Sequence, residues 1–248
     1  MLLFRPIETL QVTPFPETTS GSVSNALYFV VIVAIAATVF YLLIKSKSRK
    51  IINVLVGFAL TSASLLLSAF YLSALLSSFS NWEIYVAVIS IALTIAFDLA
   101  IFLGREVVRS VVVVFLGGAL GVFLGWSIPL VSAVLILAFL AVYDIIAVYK
   151  GPVGKIANSG SGLDQLKGLS FSFKDIQMGL GDLVFYSMLC ASMLRSFTLV
   201  SYVASFAGII AGSFITLFML QKKGIFPGLP IPIFLGLAAG LLSSLIII

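Results

Sequence analysis

The sequence predicts an all-α polytopic membrane protein, a helical bundle of eight spans. Three observations carry that reading. Of 248 residues, 61% are hydrophobic and 9% charged, whereas soluble domains carry roughly 25% charged residues. Apolar runs of about 20 residues, enough to cross a bilayer as helix, recur along the whole chain. Finally, the basic residues sort onto alternate loops. A β-barrel is the other membrane architecture, and its alternating segments of about ten residues are not seen.

Residues 1–25, with Arg5, Pro6, Glu8, Pro14, Pro16 and Glu17, read as a short tail outside the membrane. Met1 to Phe4 is too short for a signal-peptide core. The spans then follow at about 26–44, 51–76, 84–103, 107–126, 128–149, 178–194 and 197–220, with an eighth running to Ile248. Ser80-Asn81-Trp82-Glu83 makes a polar turn, and Trp82 suits the interface. Gly117, Gly121 and Gly125 recur at every fourth position of span four, a spacing that lets helices approach closely. Internal packing is favoured over a dimer face. As domains, the chain reads as the tail and one transmembrane unit, 26–248. That unit has N-terminal spans to residue 149, a loop at 150–177 and C-terminal spans from 178.

The loop holds Gly151-Pro152 and Asn158 to Gly162, and within it Leu169, Phe171 and Phe173 alternate with serines. Period-2 alternation is compatible with a short strand; an irregular loop resting on the bilayer fits the pattern equally well. Lysine and arginine favour the cytoplasmic side of short loops. Alternating loops put 12 of the 14 basic residues on one side, leaving Arg5 and Arg195 opposite. Both termini then lie outside a cell membrane and the loop 150–177 inside. The net charge of +5 speaks for topology, not for nucleic acid.

Carboxylates are conspicuous in this background. Asp144 lies in the apolar run Leu135 to Val148, and Asp182 closes Gly179-Leu180-Gly181-Asp182 at the mouth of the next run. An ionisable group inside a membrane segment is costly and marks a functional site by default. Asp144 is six residues before Lys150, or about 9 Å of helix from the inner interface. Asp182 is eight residues after Lys174, so both belong to the same layer, and the segment Pro227-Gly228-Leu229-Pro230 enters from the same side. Pro227, Pro230 and Pro232 remove backbone donors and disfavour helix, so an extended segment is expected there. Gly179 and Gly181 leave room for a peptide backbone near Asp182.

Histidine is absent and Cys190 is the one cysteine. That excludes a Ser-His or Cys-His nucleophile and an HExxH zinc site built from this chain, and no metal or cofactor is expected. Two neighbouring carboxylates remain, able to share one proton, so that one activates water while the other protonates a carbonyl oxygen. Taken singly, the same acids also suit a cation channel or ion-coupled transporter. Asp98, in span three, reads as a near-interface acid reaching Arg105, Arg109 or water, ahead of a third functional carboxylate.

Tyr143-Asp144, Gly179-Leu180-Gly181-Asp182 and the late Pro227-Gly228-Leu229-Pro230 resemble the YD, GxGD and PAL motifs of presenilin and signal peptide peptidase, the intramembrane aspartyl proteases. Motif order and the single loop between the aspartates also agree, and the compact loop looks most like the archaeal presenilin homologues. The resemblance implies Asp144 and Asp182 as the catalytic pair. It implies Tyr143, Gly179, Leu180, Gly181 and Pro227 to Pro230 as residues shaping the substrate cleft. It further implies single-span membrane proteins in the bilayer as substrates, with self-association into a homo-oligomer left open. Two departures stand out: Gly228 occupies the place of the family's alanine, and eight spans are read where the family has nine. Prepilin-type peptidases share the GxGD aspartate but follow it with a lysine, unlike Leu183-Val184-Phe185 here.

Overall fold

The computed structural model describes residues 12–46, 49–79, 81–150, 170–173, 176–223 and 225–246. Most of the loop 150–177 lies outside them, including Gly151-Pro152, the Asn158 to Gly162 stretch and Leu169, as do the tail up to residue 11 and Lys47-Ser48. Among the described residues the chain forms α1 (Thr19–Lys45), α2 (Arg49–Leu76), α3 (Trp82–Phe102), α4 (Glu106–Ser127) and α5 (Leu130–Tyr149). A hairpin of β1 (Ser170–Phe173) and β2 (Ile176–Gly179) follows, then α6 (Leu180–Ser196), α7 (Leu199–Lys223) and α8 (Pro230–Ile246). Eight helices therefore stand where eight spans are read from the sequence.

Six of these helices, α1 to α5 and α7, are long and apolar enough to cross a membrane. The other two, α6 and α8, have 17 residues each, or about 25 Å, less than the roughly 30 Å of hydrocarbon. Each is entered through non-helical backbone, the hairpin before α6 and residues 225–229 before α8. Such backbone is tolerated at membrane depth only where it is buried in protein or borders water.

Helix boundaries depart from expectation in three places, each for a local reason. The first helix begins at Thr19, seven residues earlier than its apolar run, because Thr18 caps it: its Oγ1 accepts from the Gly21 N–H at 3.0 Å. Residues 176–179, expected as loop and helix start, form β2. It pairs antiparallel with β1 in the register Ser170↔Gly179 to Phe173↔Ile176. Finally, Pro230 and Pro232 lie inside the first turn of α8, not in an extended segment. That turn leaves its first N–H groups unpaired in any helix, so proline costs nothing there. The first helical bond is Ile233 N–H to Leu229 O at 3.1 Å.

Two apolar cores hold the bundle. One joins α2, α3 and α4 through Ile52, Val56, Ile101 and Leu116. The other joins α1, α5, α6 and α8 through Ala26, Ile136, Leu140, Leu189 and Ile233. Many large apolar side chains outside these cores are exposed, as expected of a surface solvated by lipid chains. A buried polar cluster ties α1 to the start of α5. Asn25 donates to Ser132 Oγ at 3.2 Å and to Phe15 O at 3.1 Å, accepts from Phe15 N–H, and Ser132 donates to Glu17.

The glycine stripe of α4 is internal packing, against α6. A Cβ added at Gly121 would lie 2.3 Å from Val184 O, and one at Gly125 2.5 Å from Met188 O. Only glycine admits the α6 backbone so close. The same spacing operates between α7 and α8: a Cβ at Gly212 would sit 2.5 Å from Pro232 Cα, and one at Gly208 2.6 Å from Leu235 O. Glycine thus sets the seat of both short helices. Arg195 seals the far end, donating to the Trp126 and Ile128 carbonyls at the end of α4.

Candidate active site

Asp144 sits five residues from the end of α5 and is half-buried. Its Oδ2 accepts the Leu229 N–H at 3.0 Å, and the Gly228 N–H also faces the carboxylate. Tyr143 is half-buried one residue earlier. Consecutive helix positions diverge, so it lines a different side of α5 from Asp144.

Asp182 is the third residue of α6, in the first turn, with extended Gly179 as the helix cap. Unpaired N–H groups at that end favour a carboxylate, and the Gly179 N–H serves Asp182. Gly228 lies against the same side chain: a Cβ there would stand 2.9 Å from Asp182 Oδ2 and 3.3 Å from Cγ. The two carboxylates are near enough to feel each other's charge. One turn of backbone, Gly228-Leu229, therefore touches both.

That loop is anchored on either side. Pro227, Leu229 and Pro230 are buried while Gly228 is half-buried, and Leu229 belongs to the core around α5, α6 and α8. Gly179 and Gly181 are exposed. A Cβ at either would meet only ordinary contacts, the nearest being Asp182 Oδ2 at 3.7 Å and Phe185 Cε2 at 3.9 Å. Among the described residues, nothing fills the space beside them. Leu180 packs on α4, its Cδ1 2.6 Å from where a Cβ on Gly117 would stand.

Two polar residues near the aspartates escape sequence reasoning. Tyr186, one turn after Asp182, donates to Gly228 O at 2.8 Å, and Ser213 of α7 lies near it. Both lie on the wall of an apolar recess of about 540 Å3 between α4, α6 and α7, which also includes Leu183, Ser187 and Phe214. The i, i+4 relation of Tyr186 to Asp182 was visible; its partner in the proline loop was not. Asp98 does not meet a basic residue as its acceptor partner: Thr61 of α2 donates to its Oδ2 at 2.7 Å. Among the described residues no group of three or more Cys, Asp or Glu side chains is placed to hold a metal ion.

Comparison with known proteins places this arrangement. The family model described as signal-peptide peptidase, presenilin aspartyl protease matches residues 1–155, and the presenilin model matches residues 158–248. Asp144 falls in the first segment; Asp182 and the proline loop fall in the second. No curated protein sequence matches the chain. Among solved structures, a presenilin family intramembrane aspartate protease in a C222 crystal form is 20% identical, with a TM-score of 0.71 over 98% of this chain and 92% of that one. A presenilin family intramembrane aspartate protease in a P2 form is 23% identical, with a TM-score of 0.61 over 95% and 85%. At those identities the likeness speaks for the fold, and the sequence model, matching more than half of the chain, speaks for descent. This multi-pass membrane protein belongs to the signal-peptide peptidase and presenilin family of aspartyl proteases.

Proposed function

We propose that Asp144 and Asp182 are the catalytic pair of this protease, cleaving peptide bonds within the transmembrane helices of single-span membrane proteins. The observation that carries the assignment is the loop Gly228-Leu229, bonded to Asp144 and packed on Asp182. In this reading the two carboxylates hold one proton between them. The ionised group takes a proton from water, whose oxygen attacks the scissile carbonyl carbon, while the protonated group gives its proton to the carbonyl oxygen. Collapse of the tetrahedral intermediate breaks the C–N bond and the nitrogen leaves with a proton from the pair. The titration belongs to the pair, not to either residue. Family membership favours this chemistry over the cation-conducting reading of the same acids.

A peptide must be unwound for a carboxylate to reach its carbonyl. Strand β1 contacts α4 and pairs with β2, and the hairpin runs directly into the helix that carries Asp182. An unpaired edge of this hairpin is suited to accept an extended substrate as an added strand. Open space beside Gly179 and Gly181 supports the same path. From the split of basic residues, the hairpin end faces the cytoplasm of a cell membrane and both termini face outward, which favours substrates with their N-terminus outside.

Purified protein in liposomes, given a single-span peptide labelled at both ends, is expected to cleave it. Asp144→Ala and Asp182→Ala are each expected to abolish cleavage, and a substrate reconstituted in inverted orientation is expected to survive. Cleavage by both aspartate variants would overturn the assignment; equal cleavage of both orientations would overturn the topology.

A further inference from the structure

Gly228 O and the Leu229 N–H belong to one peptide unit. That unit is planar and trans, so its oxygen and its hydrogen point in opposite directions. Tyr186, from α6, grips the oxygen at 2.8 Å. Asp144, from α5, accepts the N–H at 3.0 Å. A single rigid plate is therefore held between the helices that carry the two aspartates, close enough to Asp182 that a Cβ on Gly228 would stand 2.9 Å from its Oδ2.

We propose that Tyr186 is a positioning residue for the catalytic pair, acting through the Gly228–Leu229 peptide. This rests on Asp144 and Asp182 being that pair. Three features argue for it. Tyr186 is only 8% exposed, so water does not readily replace its partner. Its hydroxyl donates to the Gly228 carbonyl at 2.8 Å. A carbonyl that accepts a hydrogen bond makes the N–H across the same amide a better donor, so the grip on Gly228 strengthens the bond to Asp144. Without the hydroxyl the plate is free to rotate about its own axis, and the donor to Asp144 and the contact with Asp182 both drift. Geometry at a reacting centre must hold within about 0.5 Å.

The test is Tyr186→Phe in the full-length protein in liposomes, with the doubly labelled single-span peptide as substrate. Removing one such bond is expected to lower kcat about tenfold with KM unchanged. If Tyr186→Phe cleaves like the parent while Asp144→Ala and Asp182→Ala are inactive, the positioning role is overturned and the pair stands. If KM or melting moves and kcat does not, the residue only packs, and the proposal is again overturned. If the aspartate variants retain cleavage, pair and positioning role fall together.

Discussion

Replacing Gly228 by alanine separates activity from stability. The added Cβ would stand 2.9 Å from Asp182 Oδ2, 3.3 Å from Cγ and 3.4 Å from Oδ1. Ordinary contact begins near the last of these, so the carboxylate or the loop must give way by about 0.5 Å at the shortest contact. The loop has little freedom to retreat, since the peptide that follows Gly228 Cα is bonded to Asp144 and to Tyr186. The displacement therefore falls on Asp182. A misplacement of about 1 Å costs on the order of 100-fold in rate, so half of that predicts a fall in kcat of about tenfold. Stability moves the other way or not at all. Gly228 does not occupy the left-handed region, and alanine at such a position gains about 0.4–1 kcal/mol by restricting the unfolded chain. Initial rates on a single-span peptide, together with a melting curve in the same detergent, measure both. A variant with parental kcat would refute the contact with Asp182 as a feature of the working enzyme. That test is pointed because the resemblance puts alanine at this position in relatives.

The remaining predictions concern the scaffold and the third acid. Gly121→Ala places a Cβ 2.3 Å from the Val184 carbonyl, a backbone atom unable to yield, and is expected to destabilise by about 1–3 kcal/mol through overpacking. Gly118→Ala, three positions away, meets only Ser187 Oγ at 3.9 Å and is expected to melt with the parent. Equal melting of the two would contradict the α4–α6 seat. Asp98→Asn keeps an acceptor for Thr61, and cleavage is expected to stay at the parental rate. Its loss would make Asp98 a working carboxylate.

Which features were legible in the sequence follows from the range of the interactions that make them. Each helix is marked by its own hydropathy, and each loop by its charges, so all eight helices can be located without knowing what they pack against. The start of α1 is harder, because Thr19, Ser20, Ser22 and Ser24 look like tail until the Thr18 cap is seen. Strand β2 is hidden because Ile176-Gln177-Met178-Gly179 is only four residues long and is defined by its partner, Ser170–Phe173. Gly117, Gly121 and Gly125 announced close packing, but not that the GxGD helix is what they receive. Gly208/Gly212 and Gly236/Gly240 carry the same spacing and pass unnoticed in a run of small residues. Around the aspartates the limit is sharper. Asp144 and Asp182 stand out as charges in apolar runs, whereas a tyrosine in such a run reads as packing until Gly228, 42 residues away, is found on its hydroxyl. The prolines illustrate the converse error: their local preference against helix is real, but at the first turn of α8 it has nothing to oppose.

The most direct test of the central claim is cleavage by isosteric aspartate variants. Asp144→Asn still offers an oxygen to the Leu229 N–H, and Asp182→Asn keeps the shape that Gly228 packs against, so both are expected to fold and melt as the parent does. Incubated in liposomes with the single-span peptide, the parent is expected to release two fragments whose masses place the cut within the membrane segment, and each variant is expected to release neither. Fragments of the same masses from either variant, at the parental rate, would contradict the account.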